Sequence, residues 1–163
     1  MPEPEKTEDG RYIIVKGRKW RATDPNIPEK LKKELVKELM NARRLVKSQG
    51  DAARFRVQDA KVALGERGEK WWEPTEEGQR HRLAATMRTL LRARDGSTIC
   101  PSDAARVVGA DHWRDLMPLA REVAAEQSEA GVLVIMQKGE EVNLAEVKGP
   151  IRLGPGPRLF EKL

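Results

Sequence analysis

The segment Thr98–Leu153 restricts the possible folds of this chain most, because helix and strand signals follow one another there at short intervals. Residues 101–109 begin with Pro and end with Gly, a pattern typical of a short helix. Residues 111–131 repeat apolar side chains at helical spacing and predict a longer helix. Residues 132–144 are rich in β-branched and aliphatic side chains around Lys138–Gly139, which indicates a β-hairpin.

Flanking features extend this order of elements. Residues 79–93 give the clearest amphipathic helix signal in the chain. Thr98–Cys100 is long enough only for a minimal strand, and Gly149–Leu153 is typical of an edge strand, where Pro is tolerated. Helix, short strand, two helices and a hairpin are the order of a winged helix-turn-helix. We therefore predict a mostly α-helical (α+β) protein with a winged-helix-like C-terminal domain over residues 76–153.

The longer helix of this domain contains one conflict. Asp111 is a favourable N-cap, and Pro118 falls early in the predicted helix. A Pro deep in a helix costs about 3 kcal/mol, and much less in the first turns. We expect a kink or a restart near Met117. The preceding helix is expected to end at Gly109, with this glycine as a left-handed cap.

The N-terminal half carries a different set of signals. Arg11–Val15 and Arg18–Ala22 are β-prone runs on both sides of Lys16–Gly17, which predicts a β-hairpin. Residues 28–48 and 52–64 repeat apolar side chains at helical spacing on both sides of a short Gln-Gly-Asp break. Two helices with so short a link predict an α-helical hairpin.

These signals divide the chain into four parts. Residues 1–9 are rich in Pro and Glu and are predicted to be a disordered tail. Residues 10–75 form the N-terminal unit, and residues 76–153 the winged-helix-like domain. Residues 154–163 are Gly/Pro-rich and predicted to be a tail, which Leu159 and its neighbour Phe160 are able to pin.

Charge is unevenly distributed over the 163 residues, whose net charge is +5. Residues 10–95 carry 22 Lys/Arg and 12 Asp/Glu, whereas residues 96–153 carry six and nine. A positive segment indicates a polyanion partner through counterion release. A solvated face of mixed charge is the alternative interpretation.

Composition also excludes several classes of protein. The longest apolar run, residues 131–136, is far shorter than the roughly 20 residues of a membrane-spanning helix, and the acidic N-terminus does not predict a secretory signal. The single cysteine, Cys100, suits the reducing cytosol. The two histidines, His81 and His112, are too few and too far apart for a zinc site. We expect a cytoplasmic protein without membrane, metal or cofactor.

Enzymatic activity is not predicted. The chain contains no phosphate-binding loop, no dinucleotide fingerprint, no zinc-protease motif and no nucleophile elbow. Cys100 precedes a helix N-terminus, which lowers thiol pKa values, but a small buried residue beside Ile99 is the favoured interpretation. His81 and His112 are interpreted as ordinary helix residues.

Six short motifs of the C-terminal half carry a resemblance to a known family. They are Ile99–Asp103, Ala105–Arg106, Trp113–Arg114, Leu116–Pro118, Gln137–Gly139 and Gly149–Arg152. With these motifs the chain resembles a family of small bacterial domains of unknown function that are grouped with the winged-helix fold. Arg18–Leu45 and Ala60–Pro74 look like the accompanying region of longer members. The resemblance implies a fold and no activity.

Nucleic-acid binding, to DNA and in a regulatory role, is the leading functional hypothesis. In a helix-turn-helix the second helix enters the major groove and the wing contacts the backbone. The residues predicted to do so are Arg114 and Arg121 on the helix and Lys138 on the wing. The polar residues of this helix, however, comprise two arginines and five acids, the opposite of what a phosphate-facing surface needs.

A variant of this hypothesis places the interface on the basic half. The predicted accessory phosphate contacts are the three cations next to Trp20 in the sequence: Arg18, Lys19 and Arg21. Positive charge beside an aromatic ring is typical of proteins that bind single-stranded nucleic acid. Lysines of the first helix and the arginines of residues 79–93 would extend that surface. The alternative for Trp20, which we favour, is that its ring packs inward.

The second hypothesis is a protein-interaction module, because a fold does not fix a function. The partner would be another protein or a second copy, contacted through the winged-helix surface without DNA. Trp71 and Trp72 lie in the break between the two halves. One interpretation is that these Trp rings stack on nucleic-acid bases. The favoured interpretation is that they anchor the linker onto the core.

Overall fold

The computed structural model describes residues 4–162, which fold into five α-helices and two three-stranded antiparallel sheets. The strands are β1 (Glu5–Lys6), β2 (Tyr12–Val15), β3 (Arg18–Arg21), β4 (Leu133–Gln137), β5 (Glu140–Glu141) and β6 (Arg152–Pro155). The helices are α1 (Glu29–Gln49), α2 (Arg54–Ala63), α3 (Glu76–Ala93), α4 (Pro101–Gly109) and α5 (Met117–Glu129). The α+β class predicted from the sequence is confirmed.

The predicted N-terminal hairpin is formed by β2 and β3, with Ile13 opposite Trp20. Lys16 and Gly17 both have positive φ, as a tight hairpin turn requires. A third strand, β1, pairs with β2 and places Glu5 opposite Ile14. The prediction that residues 1–9 are disordered was therefore wrong for β1. Pairing with β2 provides hydrogen-bond partners for the backbone of this strand. Residues 1–3 and 163 lie outside the described residues.

The predicted α-helical hairpin is formed by α1 and α2, which a 3-10 turn over Gly50–Ala53 connects. Leu35 and Leu39 of α1 are buried. Gly50 ends α1 with φ of 73°, a conformation that Gly adopts without steric cost. Helical spacing of apolar residues was thus sufficient to place both helices.

The predicted helix over residues 111–131 consists of two pieces. Ala110–Leu116 form a 3-10 segment with non-helical backbone at His112, and α5 begins at Met117 with Pro118 in its first turn. The predicted restart near Met117 is therefore confirmed. Asp111 lies in the 3-10 segment and does not cap α5, so that prediction was wrong.

The end of α4 also differs from the prediction. Ala110, with φ of 49°, is the left-handed residue, whereas Gly109 has φ of −101°. A Cβ at residue 109 would lie 2.8 Å from Leu116 Cδ1, so a larger residue there would require the Leu116 side chain to move. The predicted left-handed cap at Gly109 was therefore wrong.

The C-terminal sheet has the order β5-β4-β6. The Lys138–Gly139 turn joins β4 to β5 as predicted, and both residues have positive φ. Ile99 and Leu153 exchange two backbone hydrogen bonds of 2.8 Å, so the predicted minimal strand is a single bridge. The last strand lies at Arg152–Pro155, a few residues later than predicted.

One hydrophobic cluster joins the two halves of the chain. It includes Leu35 of α1, Leu64 after α2, Leu90 of α3 and Val123 of α5. Its residues are mainly Leu, Ala, Val and Ile, as the low aromatic content predicts. α3 lies between the two halves and contacts α1, α2, α4 and α5. Within residues 4–162 no helix is long and apolar enough to cross a membrane.

Candidate nucleic-acid interface

The arginines of α3 are the first candidates for such an interface, and two of them are buried. Thr75 caps the helix by accepting a hydrogen bond from the Gly78 N–H. Arg82, which is 4% exposed, donates to Asp24 Oδ2 at 3.0 Å and to the Ala63 carbonyl at 3.1 Å. Burial lowers the Arg82 pKa, and the Asp24 carboxylate opposes that shift. Arg82 therefore joins the hairpin–helix connection to α3.

Arg92, in the last turn of α3, is also buried and bound to a carboxylate. It is 4% exposed and donates to Asp59 Oδ2 at 2.7 Å and twice to the Leu159 carbonyl. Arg88 also binds Asp59 through two hydrogen bonds of 2.9 Å. Leu159 itself is 1% exposed, so the C-terminal segment is pinned at this residue.

Arg80, nearest the N-terminus of α3, lies closer to solvent and pairs with Glu126 at 2.6 Å and with Glu122 at 3.2 Å. All four arginines of this helix face are therefore bound to carboxylates of the same chain. The hypothesis that this face extends a nucleic-acid surface is wrong, because Arg82 and Arg92 are inaccessible and the other two are neutralised.

A cationic groove lies between the N-terminal hairpin and the α-helical hairpin. It consists of two adjoining hollows of about 550 and 730 Å³. Arg43 of α1, Lys61 of α2 and Arg67 after α2 line both hollows. Apolar side chains form much of the remaining wall: Ile13, Val15, Val46, Phe55 and Val57. A groove with cationic edges and apolar walls fits a polyanion that also has apolar faces.

The three groove cations differ from the arginines of α3 in lacking carboxylate partners. Within residues 4–162 none of Arg43, Lys61 and Arg67 forms an ion pair. Arg67 donates only to the neutral Gln58 side chain, at 2.6 Å. Burial lowers the Lys61 pKa, and the charges of Arg67 and Arg43 lower it further, against the opposite effect of Glu66. Two carboxylates also line the hollows, but Glu66 accepts a hydrogen bond from Thr23 and Asp51 pairs with Arg54, so neither forms an ion pair with the three groove cations.

Trp20 lies at the edge of this groove and is 46% exposed. The Arg18 guanidinium lies over its ring, 5.1 Å from the centroid. The prediction that Trp20 packs inward was wrong.

The other two accessory residues of the hairpin have different roles. Lys19 places Nζ 4.5 Å from the centroid of the Tyr12 ring and is exposed. Arg21 donates to the Gly68 carbonyl at 2.8 Å and so ties the hairpin to the loop after α2. Trp71 donates its indole N–H to the Ala22 carbonyl at 3.2 Å. Trp72 packs edge-on against Trp71 and against Tyr12 of β2, so the pair anchors the linker on the N-terminal sheet and not on the hydrophobic cluster.

The three residues predicted for the second helix and the wing lie apart from the groove. Arg114 belongs to the 3-10 segment, where it and Arg106 both lie within 4.5 Å of the Trp113 ring centroid. Arg121 lines a separate hollow beside Glu122. Lys138 is exposed at the turn before β5, whose two residues are glutamates. The structure therefore does not combine these cations into one basic surface.

The separate hollow, of about 700 Å³, lies between α5 and the segment after β5. Its wall combines Arg121, Glu122 and Glu129 with the apolar side chains of Ile135, Val142 and Leu144. Charges of both signs on this wall do not form the positive surface that a polyanion needs.

Sequence reasoning missed Arg43, Lys61 and Arg67. Arg43 and Lys61 lie on helices that carry several other Lys and Arg residues. Their spacing in the sequence does not distinguish them from those other cations. The one available signal was the adjacency of Trp20 to three cations of the hairpin. Cys100 is half-buried and accepts a contact of 3.0 Å from Ser102 Oγ. In the described part of the chain no three His, Cys, Asp or Glu side chains are grouped to hold a metal ion.

Comparison with known families gives one match. Residues 80–155 match the model of a family described as a protein of unknown function (DUF3253). The chain thus contains a domain of unknown function, as the resemblance predicted. The match begins in α3 and ends in β6, so the N-terminal sheet, α1 and α2 lie outside it. No curated protein matches the chain.

Proposed function

We propose that this protein binds nucleic acid through the cationic groove between its N-terminal hairpin and the α1–α2 hairpin. The observation that carries this proposal is the set of unpaired cations, Arg43, Lys61 and Arg67, along a groove with an exposed Trp20 at its edge. Three like charges without carboxylate partners are costly unless an anion compensates them. A phosphate backbone supplies such anions at regular spacing.

The C-terminal half contributes differently in this proposal. We infer a winged-helix-like arrangement for it, because α3, the Ile99 bridge, α4, α5 and the β4–β5 hairpin follow in that order. Its 3-10 segment replaces the start of a continuous second helix, and its charge is acidic. It therefore supports the groove by anchoring α3 and does not supply the main phosphate contacts. The single cysteine suits the reducing cytosol, which we propose as the compartment of this protein.

Fluorescence anisotropy of a labelled mixed-sequence duplex and of a labelled single strand tests the proposal. The protein is titrated at about 50 and 150 mM salt, since phosphate contacts weaken with salt. The decisive variant replaces Arg43, Lys61 and Arg67 by Gln. Its charge-matched control replaces Arg114, Arg121 and Lys138 by Gln, which are the residues expected for a helix-turn-helix reader.

The groove variant is expected to lose affinity by about tenfold or more at the lower salt, whereas the control stays within about threefold of wild type. Circular dichroism verifies that both variants are folded. Wild-type protein that binds neither probe at the lower salt would overturn the proposal. A control variant that loses more affinity than the groove variant would return the interface to the C-terminal half.

The alternative function, a protein-interaction module, is favoured by the mixed hollow between α5 and the segment after β5. Substitution of Leu144 by Asp places a charge in its apolar wall. If the protein is an adaptor, this change abolishes capture of a partner protein while nucleic-acid binding is unaffected.

A further inference from the structure

We propose that the ligand of the groove is single-stranded nucleic acid, with one base stacked on the Trp20 ring. This inference rests on the proposed function and makes it more specific. Its basis is the combination of an exposed indole ring, a guanidinium over that ring and unpaired cations in the adjoining groove.

The Trp20 ring is held in place and yet accessible. It stands on β3 opposite Ile13 of β2, so the sheet fixes its position. The Arg18 guanidinium lies over the ring at 5.1 Å, while 46% of the residue is exposed. An exposed indole ring on an ordered strand, beside a cationic groove, is the kind of platform on which proteins stack single-stranded bases. The arrangement offers a ring to a base and a guanidinium to the adjacent phosphate.

The groove continues from Trp20 towards a line of cations. Arg43, Lys61 and Arg67 lie along both hollows, and Phe55 and Val57 contribute apolar walls to the further one. In a duplex the base faces are covered by their neighbours, so a surface aromatic ring has nothing to stack on. An unpaired strand exposes both phosphates and base faces, and proteins bind such strands by cationic grooves with aromatic platforms.

A second exposed aromatic residue provides a matched control. Phe160 is 53% exposed and has the Arg56 guanidinium over its ring at 5.1 Å. Arg56, however, is bound to the buried Glu38 by two hydrogen bonds of 2.7 and 2.9 Å. Lys37, in the same hollow, donates to the Ala93 carbonyl. Phe160 thus has a similar exposure, but the guanidinium over its ring is already bound to a buried carboxylate.

The test uses the full chain and labelled homopolymers of about 15 nucleotides, oligothymidylate and oligouridylate, beside a duplex of the same length. Their affinities are measured for wild type and for Trp20→Ala, Trp20→Phe and Phe160→Ala. Stacking on a protein ring contributes about 1–3 kcal/mol per base, which equals roughly a 5- to 150-fold change in affinity. Trp20→Ala is expected to weaken single-strand binding within this range, and duplex binding by less than about twofold.

Trp20→Phe keeps a ring and is expected to retain most of the affinity, while Phe160→Ala stays close to wild type. Tighter binding of either homopolymer than of the duplex supports the inference. Single-strand affinity that does not change in Trp20→Ala, or that falls equally with duplex affinity, overturns the stacking and leaves the proposed function intact. Absence of binding to any probe by wild type overturns both.

Discussion

The face of α3 and the groove beside the N-terminal hairpin contain the same kinds of residue and differ in their carboxylates. On α3, Arg82 and Arg92 are buried against Asp24 and Asp59, and Arg88 shares the second carboxylate. In the groove, Arg43 and Lys61 have no such partner among the described residues. Cations of the first region hold the fold together, and those of the second remain available to a ligand.

This difference teaches that a row of arginines in a sequence is not by itself a binding surface. The energy of a buried ion pair is small compared with the cost of leaving one of its members alone. Loss of a cation is therefore expected to cost stability on α3 and affinity in the groove. The following predictions test this division.

The largest expected effect is that of Arg82→Met. The substitution leaves the Asp24 carboxylate, 4% exposed, without its ion-pair partner and the Ala63 carbonyl without a donor. A broken buried pair costs about 3–5 kcal/mol. The free energy of unfolding in urea measures the loss. The double variant Asp24→Asn with Arg82→Met is expected to recover part of it, since no buried charge remains unpaired. A loss below about 1 kcal/mol in the single variant would contradict the structural role of Arg82.

Arg88→Met is expected to have a smaller effect. Asp59 keeps its 2.7 Å ion pair with Arg92 when Arg88 is removed, so no carboxylate is left alone. The expected loss is about 1.5–3 kcal/mol, the range of a hydrogen bond to a charged group. The same urea measurement applies. If Arg88→Met destabilised the protein as much as Arg82→Met, the remaining pair between Arg92 and Asp59 would not protect the fold, and this prediction would be contradicted.

Lys61→Met is expected to change stability least and in the opposite direction. Burial and the charges of Arg67 and Arg43 lower the Lys61 pKa, so the folded protein binds this proton less tightly than the unfolded chain. The charged ammonium therefore costs stability at neutral pH, and wild-type stability rises as pH increases from the folded pKa towards 10.5. Because Lys61 is only partly buried, solvent screens these effects and the gain in Lys61→Met stays within about 0.5 kcal/mol.

Urea unfolding of Lys61→Met and wild type at pH 7 and at about pH 10 checks the sign. The difference between the two proteins is expected to shrink at the higher pH, where Lys61 loses its proton. Nucleic-acid affinity at pH 7 is expected to fall in the same variant. A substitution that lowers both stability and affinity would show that Lys61 supports the fold and not a ligand.

The elements of the fold were predictable where local chemistry decides them. The Lys16–Gly17 and Lys138–Gly139 turns, the two helices of the α1–α2 hairpin and the restart at Met117 follow from turn residues, apolar spacing and one proline. β1 was not predictable, because its two residues have polar side chains and form a strand only by pairing with β2.

The site was predictable only in part, because ion pairing depends on contacts distant in sequence. Arg82 finds its carboxylate 58 residues away and Arg92 finds one 33 residues away. Arg18 and Lys19 were recognised from their adjacency to Trp20. Arg43 and Lys61 were not, since nothing in the sequence of α1 or α2 separates cations that have partners from cations that have none.

The salt dependence of duplex and single-strand affinity tests most directly whether unpaired groove cations bind nucleic acid. Three proteins are compared: wild type, the variant with Arg43, Lys61 and Arg67 replaced by Gln, and a charge-matched variant with the exposed Lys30, Lys33 and Lys47 of α1 replaced by Gln. Each phosphate contact contributes about 0.7–0.9 to the slope of log affinity against log salt. The groove variant is expected to lower that slope by roughly 2–3, and the α1 variant by less than about 1. Equal slopes for the two variants would contradict the account, because net charge and not the groove would then determine binding.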